Sequence, residues 1–280
     1  MREYLAEFLS DPRVVPLPQW LWRPLLKGVV LPLRAPQSAE KYAQIWMPEG
    51  SPLAVHTARM ARALGERLRL PVSYAMRYGE PSIAPTLVRL ADPLVVPLYP
   101  QYAESTTGSV LAALPANVPR VRQFHDHPAY IAALAASARR HWAGHGRAPM
   151  LVISFHGLPR RAAGDYEQQC RATARLLAQA LALSDGECRI TFQSRFGYAR
   201  WLEPATEPTL VELARDGVRR VDVICPGFVA DCLETLEEIG IRARGRYRAA
   251  GGERLDLIPC LNDAPEWIAA LAVISDRGGL

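Results

Sequence analysis

Hydrophobic and polar positions in the second half of the chain follow two alternating patterns. Short apolar runs are followed, after a turn, by segments in which apolar residues recur every three to four positions. The runs predict buried strands, and the longer segments predict helices that cover them. The predicted strands are 150–155, 189–193, 221–225 and 255–258, and the predicted helices are 166–183, 209–216, 231–239 and 265–274. This order indicates a parallel sheet with helices on both faces.

The first half carries a similar but more proline-rich series. Its predicted helices are 4–9, 38–46, 53–69, 83–90, 106–114 and 128–145, and its predicted strands are 72–77, 92–99 and 118–122. Two series of similar size predict an α/β fold of two similar doubly wound (Rossmann-like) domains, with parallel sheets and a cleft between them. The predicted divisions are 1–146 and 147–262, followed by a closing helix and tail at 263–280.

Composition narrows the class of protein. Of 280 residues, 49% are hydrophobic and 22% charged, which is typical of a globular protein with a full core. The formal charge is +5, but the basic residues are scattered, which argues against a nucleic-acid partner. The five cysteines include no C-x-x-C pair, and Arg2, Glu3 and Glu7 interrupt any secretory signal. We therefore expect reduced thiols in a cytoplasmic protein.

One apolar stretch, residues 17–33, stands apart from the strand and helix series. Three prolines, Arg23 and Lys27 interrupt it, so it is not expected to span a membrane. Its two tryptophans and flanking cations suit contact with a membrane surface or the lip of an apolar cleft. The alternative is a loop and helix that pack on the core.

Three carboxylates follow the strand at 221–225. Pro226 and Gly227 end that strand, and Asp231, Glu234 and Glu238 come next at spacings of three and four. This spacing predicts one acidic helix face at a strand-to-helix junction, where doubly wound folds bind ligands. The alternative is a solvated helix face with no special role.

A histidine follows another buried strand. His156 and a turn glycine come directly after the apolar run at 150–155. Because the ends of neighbouring parallel strands converge, His156 is expected to face the acidic row. An imidazole opposite carboxylates offers a metal ligand, a general base and a path for cations or protons. The alternative for a lone histidine is a structural role.

Two loops complete the candidate chemistry. Residues 192–204 combine aromatic, cationic and amide groups, which suits a flat apolar ligand or a well-packed connection. Tyr99 and Tyr102 precede the hydroxyl residues Ser105 and Thr106 at the start of a predicted helix. Those hydroxyls suit either an anion site at the helix N-terminus or ordinary helix capping.

Several of these segments together resemble the ferrochelatases, and their amino-acid sequences are similar to those of the proteobacterial type. The matching segments are Ser154-Phe-His-Gly-Leu-Pro159, Phe192-Gln-Ser-Arg-Phe-Gly197, Tyr99-Pro-Gln-Tyr102 and Cys225-Pro-Gly-Phe-Val-Ala-Asp-Cys-Leu-Glu-Thr-Leu-Glu-Glu238. They occur in order over essentially the whole chain. The resemblance implies a metal-inserting lyase that inserts Fe²⁺ into protoporphyrin IX to form protoheme, the last step of heme biosynthesis, with the porphyrin in the cleft between two α/β domains.

The resemblance also implies roles for individual residues. It assigns iron binding and proton abstraction to His156 and Glu234, without settling whether His156 is ligand or base. It places Asp231 and Glu238 on an acidic path, and it places a further set of residues in the porphyrin pocket. That set is Tyr99, Tyr102, Ser105, Thr106 and Phe228. No tightly bound cofactor is expected, since the cysteine-rich extension that carries a [2Fe–2S] cluster in some members is not in this sequence.

Three features depart from the family pattern. The sequence starts at the helix 4–9, whereas the family's chains begin with a strand that ends in an Asn-Leu-Gly-Thr-Pro turn. Cys232 stands where some relatives have histidine, and the segment 160–166 is a few residues short. The alternatives are therefore a truncated, inactive chelatase, a non-catalytic tetrapyrrole-binding protein, or a chelatase for another tetrapyrrole such as coproporphyrin.

Overall fold

A computed structural model describes residues 1–15, 17–195 and 197–276. Its helices are α1 Arg2–Ser10, α2 Gln19–Leu25, α3 Leu31–Ala43, α4 Pro52–Leu68, α5 Ile83–Leu87, α6 Ser109–Ala112, α7 Pro128–His145, α8 Tyr166–Ala180, α9 Thr206–Arg215, α10 Leu233–Leu236, α11 Arg244–Ala249 and α12 Pro265–Ile274. Its strands are β1 Met150–His156, β2 Cys188–Gln193, β3 Arg220–Ile224 and β4 Arg254–Leu257. Wider π-helical turns occupy Leu26–Val30, Glu104–Gly108 and Glu238–Ala243.

The four strands form one parallel sheet in the order β2–β1–β3–β4. Side chains on the central strand β1 alternate between two hydrophobic clusters, as the period of a strand requires. Leu151, Ile153 and Phe155 lie in one cluster, and Met150 and Val152 lie in the other. Residues of α7 and α8 cover the first face, and residues of α9 and α11 cover the second. The predicted α/β class with a parallel sheet is confirmed.

The proline-rich first half differs from the strand prediction. In the described residues, the segments 72–77, 92–99 and 118–122 form no continuous strands and make only isolated bridges, Met76 with Ser82 and Val95 with Arg120. Pro93, Pro97 and Pro119 lack the N–H groups that a ladder needs, so pairing stays local. The Val95 bridge is parallel, with Val95 N donating to Pro119 O at 2.9 Å.

Residues 17–33 are mostly helical, which the prolines obscured. Pro32 lies shortly after the π-helical turn Leu26–Val30, and that wider turn accommodates a position that offers no N–H. Pro24 and Pro36 lie inside α2 and α3. No helix in the described part of the chain is long and apolar enough to cross a membrane.

The first hydrophobic cluster joins the two halves of the chain. Met60 and Leu64 of α4 lie in it together with Trp267 of α12, whose indole N–H contacts the Met60 sulfur at 3.0 Å. The proposed division at residues 1–146, 147–262 and 263–280 stays a prediction, and residues 277–280 lie outside the described range.

Candidate active site

His156 stands at the carboxyl end of the buried central strand, as predicted. Its side chain is half-buried, and its Nδ1 lies 2.6 Å from the Gly157 carbonyl oxygen. Because a carbonyl only accepts, this contact requires the proton on Nδ1 and leaves the Nε2 lone pair free. The Tyr166 hydroxyl donates to the His156 carbonyl at 2.9 Å and fixes the backbone. The imidazole is therefore oriented with one nitrogen available to a ligand or a proton.

Phe228 lies beside this histidine. Their ring centroids are 6.3 Å apart, with the ring planes tilted by 54°. Phe228 follows β3, whereas His156 ends β1, so the convergence of neighbouring strand ends brings the two together. This pair places an apolar surface next to the imidazole of His156.

Gln193 connects the histidine strand to the acidic segment. It is the register partner of His156 at the end of β2 and is almost fully buried. Its amide nitrogen donates to the Glu234 carbonyl at 2.7 Å, and its amide oxygen accepts from Ser154 at 2.7 Å. Gln193 lies in the motif at 192–197 but was not among the predicted site residues. The sequence feature that could have identified it is a side-chain amide at the last position of a predicted buried strand.

The acidic segment begins differently from the predicted helix. The helix predicted at 231–239 starts at Leu233 with Cys232 as its N-cap, and α10 passes into the π-helical turn after Leu236. Asp231 therefore precedes the helix. The reason is the capping box, in which Thr235 accepts from the Cys232 backbone N–H at 3.0 Å.

Asp231 is buried and engaged by neighbouring donors. Its carboxylate accepts from the Thr235 hydroxyl at 2.9 Å and from the Asn262 side-chain amide at 2.7 Å. The Asp231 backbone N–H in turn donates to the Asn262 side chain at 2.9 Å. These bonds tie the loop after β3 to the loop before α12, so the contacts of Asp231 favour an anchoring role.

Glu238 is held over the loop that follows β2. Ser194, whose φ is 64°, donates to it from its backbone N–H at 2.8 Å and from its hydroxyl at 2.6 Å. Arg242 lies 3.6 Å away. Glu237, which the sequence analysis did not single out, is buried between Lys41 and Arg242 at 3.9 and 3.6 Å. Phe196 of the same loop lies outside the described residues.

Three tyrosines, Tyr4, Tyr42 and Tyr99, lie within electrostatic range of Glu234, which is itself half-buried. Burial, followed by the charges of Tyr78 and Glu234, raises the pKa of Tyr99 to about 12. Burial and the nearby charges of Tyr42 and Glu234 raise the pKa of Tyr4, and burial and Glu234 raise that of Tyr42. These phenols stay protonated at neutral pH and can donate hydrogen bonds near the carboxylate.

The predicted porphyrin residues fall into two groups. Tyr99 lies near Glu234, and Phe228 lies near His156. Tyr102 instead lines a separate cleft of about 590 Å³ together with Arg122 and Gln169. Ser105 and Thr106 are half-buried in the turn Glu104–Gly108, and the Thr106 hydroxyl donates to the Ala103 carbonyl at 3.3 Å. The helix predicted from Thr106 is a π-helical turn followed by the short α6.

The fold is that of the chelatases. SirB from Bacillus subtilis with Fe³⁺ matches with a TM-score of 0.57 at 14% identity, over 78% of this chain and 86% of that one. CbiX, described as the terminal enzyme for biosynthesis of siroheme in denitrifying bacteria, matches with a TM-score of 0.52 at 20% identity, over 84% and 91%. At these identities the likeness concerns the fold.

Sequence comparison defines the family. The ferrochelatase family model matches residues 1–277. Ferrochelatases of Azoarcus sp. (strain BH72) and Methylibium petroleiphilum (strain ATCC BAA-1232 / LMG 22953 / PM1) are each 54% identical, over 97% and 99% of this chain and 80% and 82% of their own lengths. The chain belongs to the ferrochelatase family, whose members are metal-inserting lyases. The resemblance drawn from its motifs is confirmed.

Proposed function

We propose that this chain inserts Fe²⁺ into protoporphyrin IX, giving protoheme and two protons. The observation that carries the proposal is the oriented His156, whose ring lies beside Phe228 and whose strand is connected through Gln193 to the Glu234 segment. Family membership supplies the reaction class, with iron as substrate.

His156 and Glu234 are proposed to bind iron and to abstract the pyrrole protons. The Nε2 lone pair of His156 can take the incoming Fe²⁺ or a pyrrole proton, and Glu234 serves as its partner in iron binding and proton abstraction. Neutral phenols near Glu234 can stabilise its negative charge by hydrogen bonding. A low-dielectric pocket of this kind strengthens every charge interaction that iron makes on entering.

Glu238 is proposed to continue the path from Glu234 to solvent. Ser194 donates two hydrogen bonds to its carboxylate and Arg242 lies 3.6 Å away, so the carboxylate is held in a fixed position over the loop after β2. Asp231 was also predicted on this path. That role stays a prediction, and its buried hydrogen bonds support an anchoring role instead.

The proposed porphyrin surface combines rings and hydroxyls. Phe228 and Tyr99 provide apolar faces for the macrocycle near the metal pair. A contact of Tyr102, Ser105 and Thr106 with the porphyrin stays a prediction, since Tyr102 lines a separate cleft. A flat apolar ligand is best bound by aromatic side chains with a few polar groups that orient it. No resident cofactor is required for this reaction, since iron enters as substrate.

The test is anaerobic metallation followed by porphyrin absorbance. Glu234→Gln and His156→Ala are each expected to lower the rate by at least about 100-fold, because positioned acid–base groups contribute about 10²–10⁴-fold. Porphyrin binding, measured by fluorescence quenching, should remain within about twofold of the parent chain, as a change confined to metal and proton handling implies. The matched control is Glu212→Gln on the exposed surface of α9, which should retain normal turnover.

Two results would contradict the proposal. Normal turnover in Glu234→Gln would remove that residue from the reaction. Folded protein that binds porphyrin but never metallates it would instead indicate a non-catalytic tetrapyrrole-binding protein. Parallel assays with coproporphyrin show which tetrapyrrole the protein prefers. Faster turnover on coproporphyrin than on protoporphyrin IX would change the proposed substrate to coproporphyrin.

The segment 17–33 is proposed to contact a membrane surface peripherally, with the protein otherwise cytoplasmic. It exposes several large apolar side chains, namely Leu17, Trp20, Leu21, Leu25, Val29 and Leu33. Trp20 is 76% exposed, whereas the Trp22 indole donates to the Leu9 carbonyl at 2.7 Å and packs inward. Arg23 and Lys27 supply cations beside this surface.

Flotation with vesicles of phosphatidylglycerol and phosphatidylcholine tests this contact. Trp20→Ser is expected to reduce the floated fraction several-fold. Trp46→Ser is the matched control, because Trp46 is 55% exposed but lies outside the segment. Equal flotation of both variants would contradict a role for residues 17–33.

A further inference from the structure

A second cluster of metal-ligating side chains lies away from the strand-end site. His141, Asp222 and Asp256 each offer one ligand atom, and these atoms all lie within 4.8 Å of one another. It is the one group of three or more His, Cys, Asp or Glu side chains with this spacing in the described ranges. Neither the proposed reaction nor the motifs account for it.

The fold places these three residues on one side of the sheet near its amino-terminal end. Asp222 of β3 and Asp256 of β4 are register partners, so their side chains project to the same face. His141 comes from the last turns of α7. Leu151, the β1 partner of Asp222, precedes His156 by five residues, which separates the two sites by about 16 Å along the strand.

The carboxylate of Asp222 is held in one orientation by hydrogen bonds, as is typical of a carboxylate that binds a metal ion. It is only 1% exposed, and both of its donors, the Trp142 indole N–H at 2.7 Å and the Ala148 backbone N–H at 2.9 Å, bond to Oδ2. Oδ1 is thereby left for a further partner. Donors of this kind behind a ligating carboxylate orient it and maintain its charge.

His141 supplies an independent observation. Its Nε2 is buried and has no hydrogen-bond partner among the described residues. A buried ring nitrogen without a partner costs free energy unless a ligand satisfies it. His145 stacks on His141 with ring centroids 4.5 Å apart, and its Nδ1 lies 3.1 Å from the His141 carbonyl oxygen, which restrains this end of the helix.

The charge balance favours a cation. Two carboxylates side by side on neighbouring strands repel each other. Arg254 contacts Oδ2 of Asp256 at 2.6 Å and balances one of them. The donors to the second carboxylate, Asp222, are the neutral Trp142 indole and a backbone N–H, and it forms no ion pair with an arginine or lysine in the described part of the chain. It lies next to the negative end of the α7 dipole, and a bound cation would balance its charge.

We propose that His141, Asp222 and Asp256 form a second metal site that binds a divalent first-row ion, distinct from the site that handles substrate iron. One imidazole and two carboxylates suit Mn²⁺ or Zn²⁺. The ion would tie the end of α7 to β3 and β4. Trp142 acts as a positioning residue through its bond to Asp222.

The experiment uses Mn²⁺ and the full chain in a His156→Ala/Glu234→Gln background, which disables the proposed substrate-iron site. Electron paramagnetic resonance measures the loss of the free Mn²⁺ signal, and the expected result is one bound ion per chain. Adding His141→Ala or Asp256→Asn should abolish this binding. Asp216→Asn, an exposed aspartate on the surface after α9, is the matched control and should leave binding unchanged.

Trp142→Phe provides a second readout that conserves the ring packing. Removing the indole donor should weaken Mn²⁺ binding by about 10–100-fold, as loss of an outer hydrogen bond to a metal ligand does. Circular dichroism confirms that each variant is folded. Retention of the bound ion in folded His141→Ala and Asp256→Asn variants, or no bound ion in the background protein, would overturn the proposal.

Discussion

Replacing Asp231 by alanine tests whether this residue anchors the site or carries protons. Asp231 is 5% exposed, and its carboxylate accepts three hydrogen bonds. The donors are the Thr235 hydroxyl at 2.9 Å, the Asn262 side-chain amide at 2.7 Å and the Cys260 backbone N–H at 3.4 Å. The substitution removes all three acceptor contacts at once.

The expected loss of stability depends on whether each donor still has an acceptor after the substitution. The Thr235 hydroxyl keeps an acceptor, since the Cys232 carbonyl lies 3.2 Å away. The partly buried Asn262 amide and Cys260 N–H lose their acceptor, and each unsatisfied donor costs up to about 1–3 kcal/mol. The free energy of unfolding is therefore expected to fall by about 2–5 kcal/mol, at the upper end for single substitutions.

Equilibrium urea unfolding measures this loss, and metallation is assayed on the same samples under conditions where the protein is folded. Asp231→Asn keeps one side-chain oxygen and should lose less stability than Asp231→Ala. Asp216→Ala on the exposed surface is the control and should stay within about 0.5 kcal/mol of the parent chain. Combining Asp231→Ala with Asn262→Ala should be markedly less than additive, because the two residues bond each other in both directions.

One outcome would refute the anchoring argument. If Asp231→Ala loses less than about 1 kcal/mol of stability, well below the cost of two orphaned donors, the buried hydrogen bonds do not anchor the loop. If metallation also falls by about 100-fold in that variant, Asp231 belongs to the acidic path, since that is the scale of proton-transfer residues.

Three further substitutions are expected to have measurable effects. Gly157→Ala should slow metallation and lower the melting temperature, because its Cβ would lie 2.6 Å from the Gln193 carbonyl oxygen, a backbone atom that cannot move aside cheaply. Tyr130→Phe should lower the free energy of unfolding by about 1–3 kcal/mol in a urea titration, because the buried Pro226 carbonyl loses its donor. Burial alone would raise the pKa of Asp11, but the backbone N–H of Arg13, neighbouring hydroxyls and Arg77 lower it below its usual range. That carboxylate therefore contributes stability above about pH 4 that is lost as pH falls further, and Asp11→Asn should flatten the stability profile there. A profile of unchanged slope in Asp11→Asn, or wild-type stability in either of the other variants, would contradict these assignments.

Local sequence signals predicted the second half of the chain well. The four strands and the helices α8, α9 and α12 were placed within a few residues, as was α7 at the end of the first half, because buried parallel strands and amphipathic helices differ clearly in period. The position of His156 at a strand end followed from the same pattern. The three strands predicted in the first half were not formed as continuous strands. In the segments 92–99 and 118–122, prolines remove backbone donors that pairing needs.

The sequence by itself determined the fold class, the family and the candidate site residues, because strand ends, turns and the amino-acid sequences of motifs are local properties. Tertiary structure decided the burial, the hydrogen-bond partners and the relative positions of those residues. It placed Asp231 in a buried hydrogen-bond network before the helix, made Gln193 the connection between His156 and the Glu234 segment, and separated Tyr102 from Tyr99. Hydrogen-bond partners and burial depend on which distant segments pack together, and spacing along one segment carries no information about them.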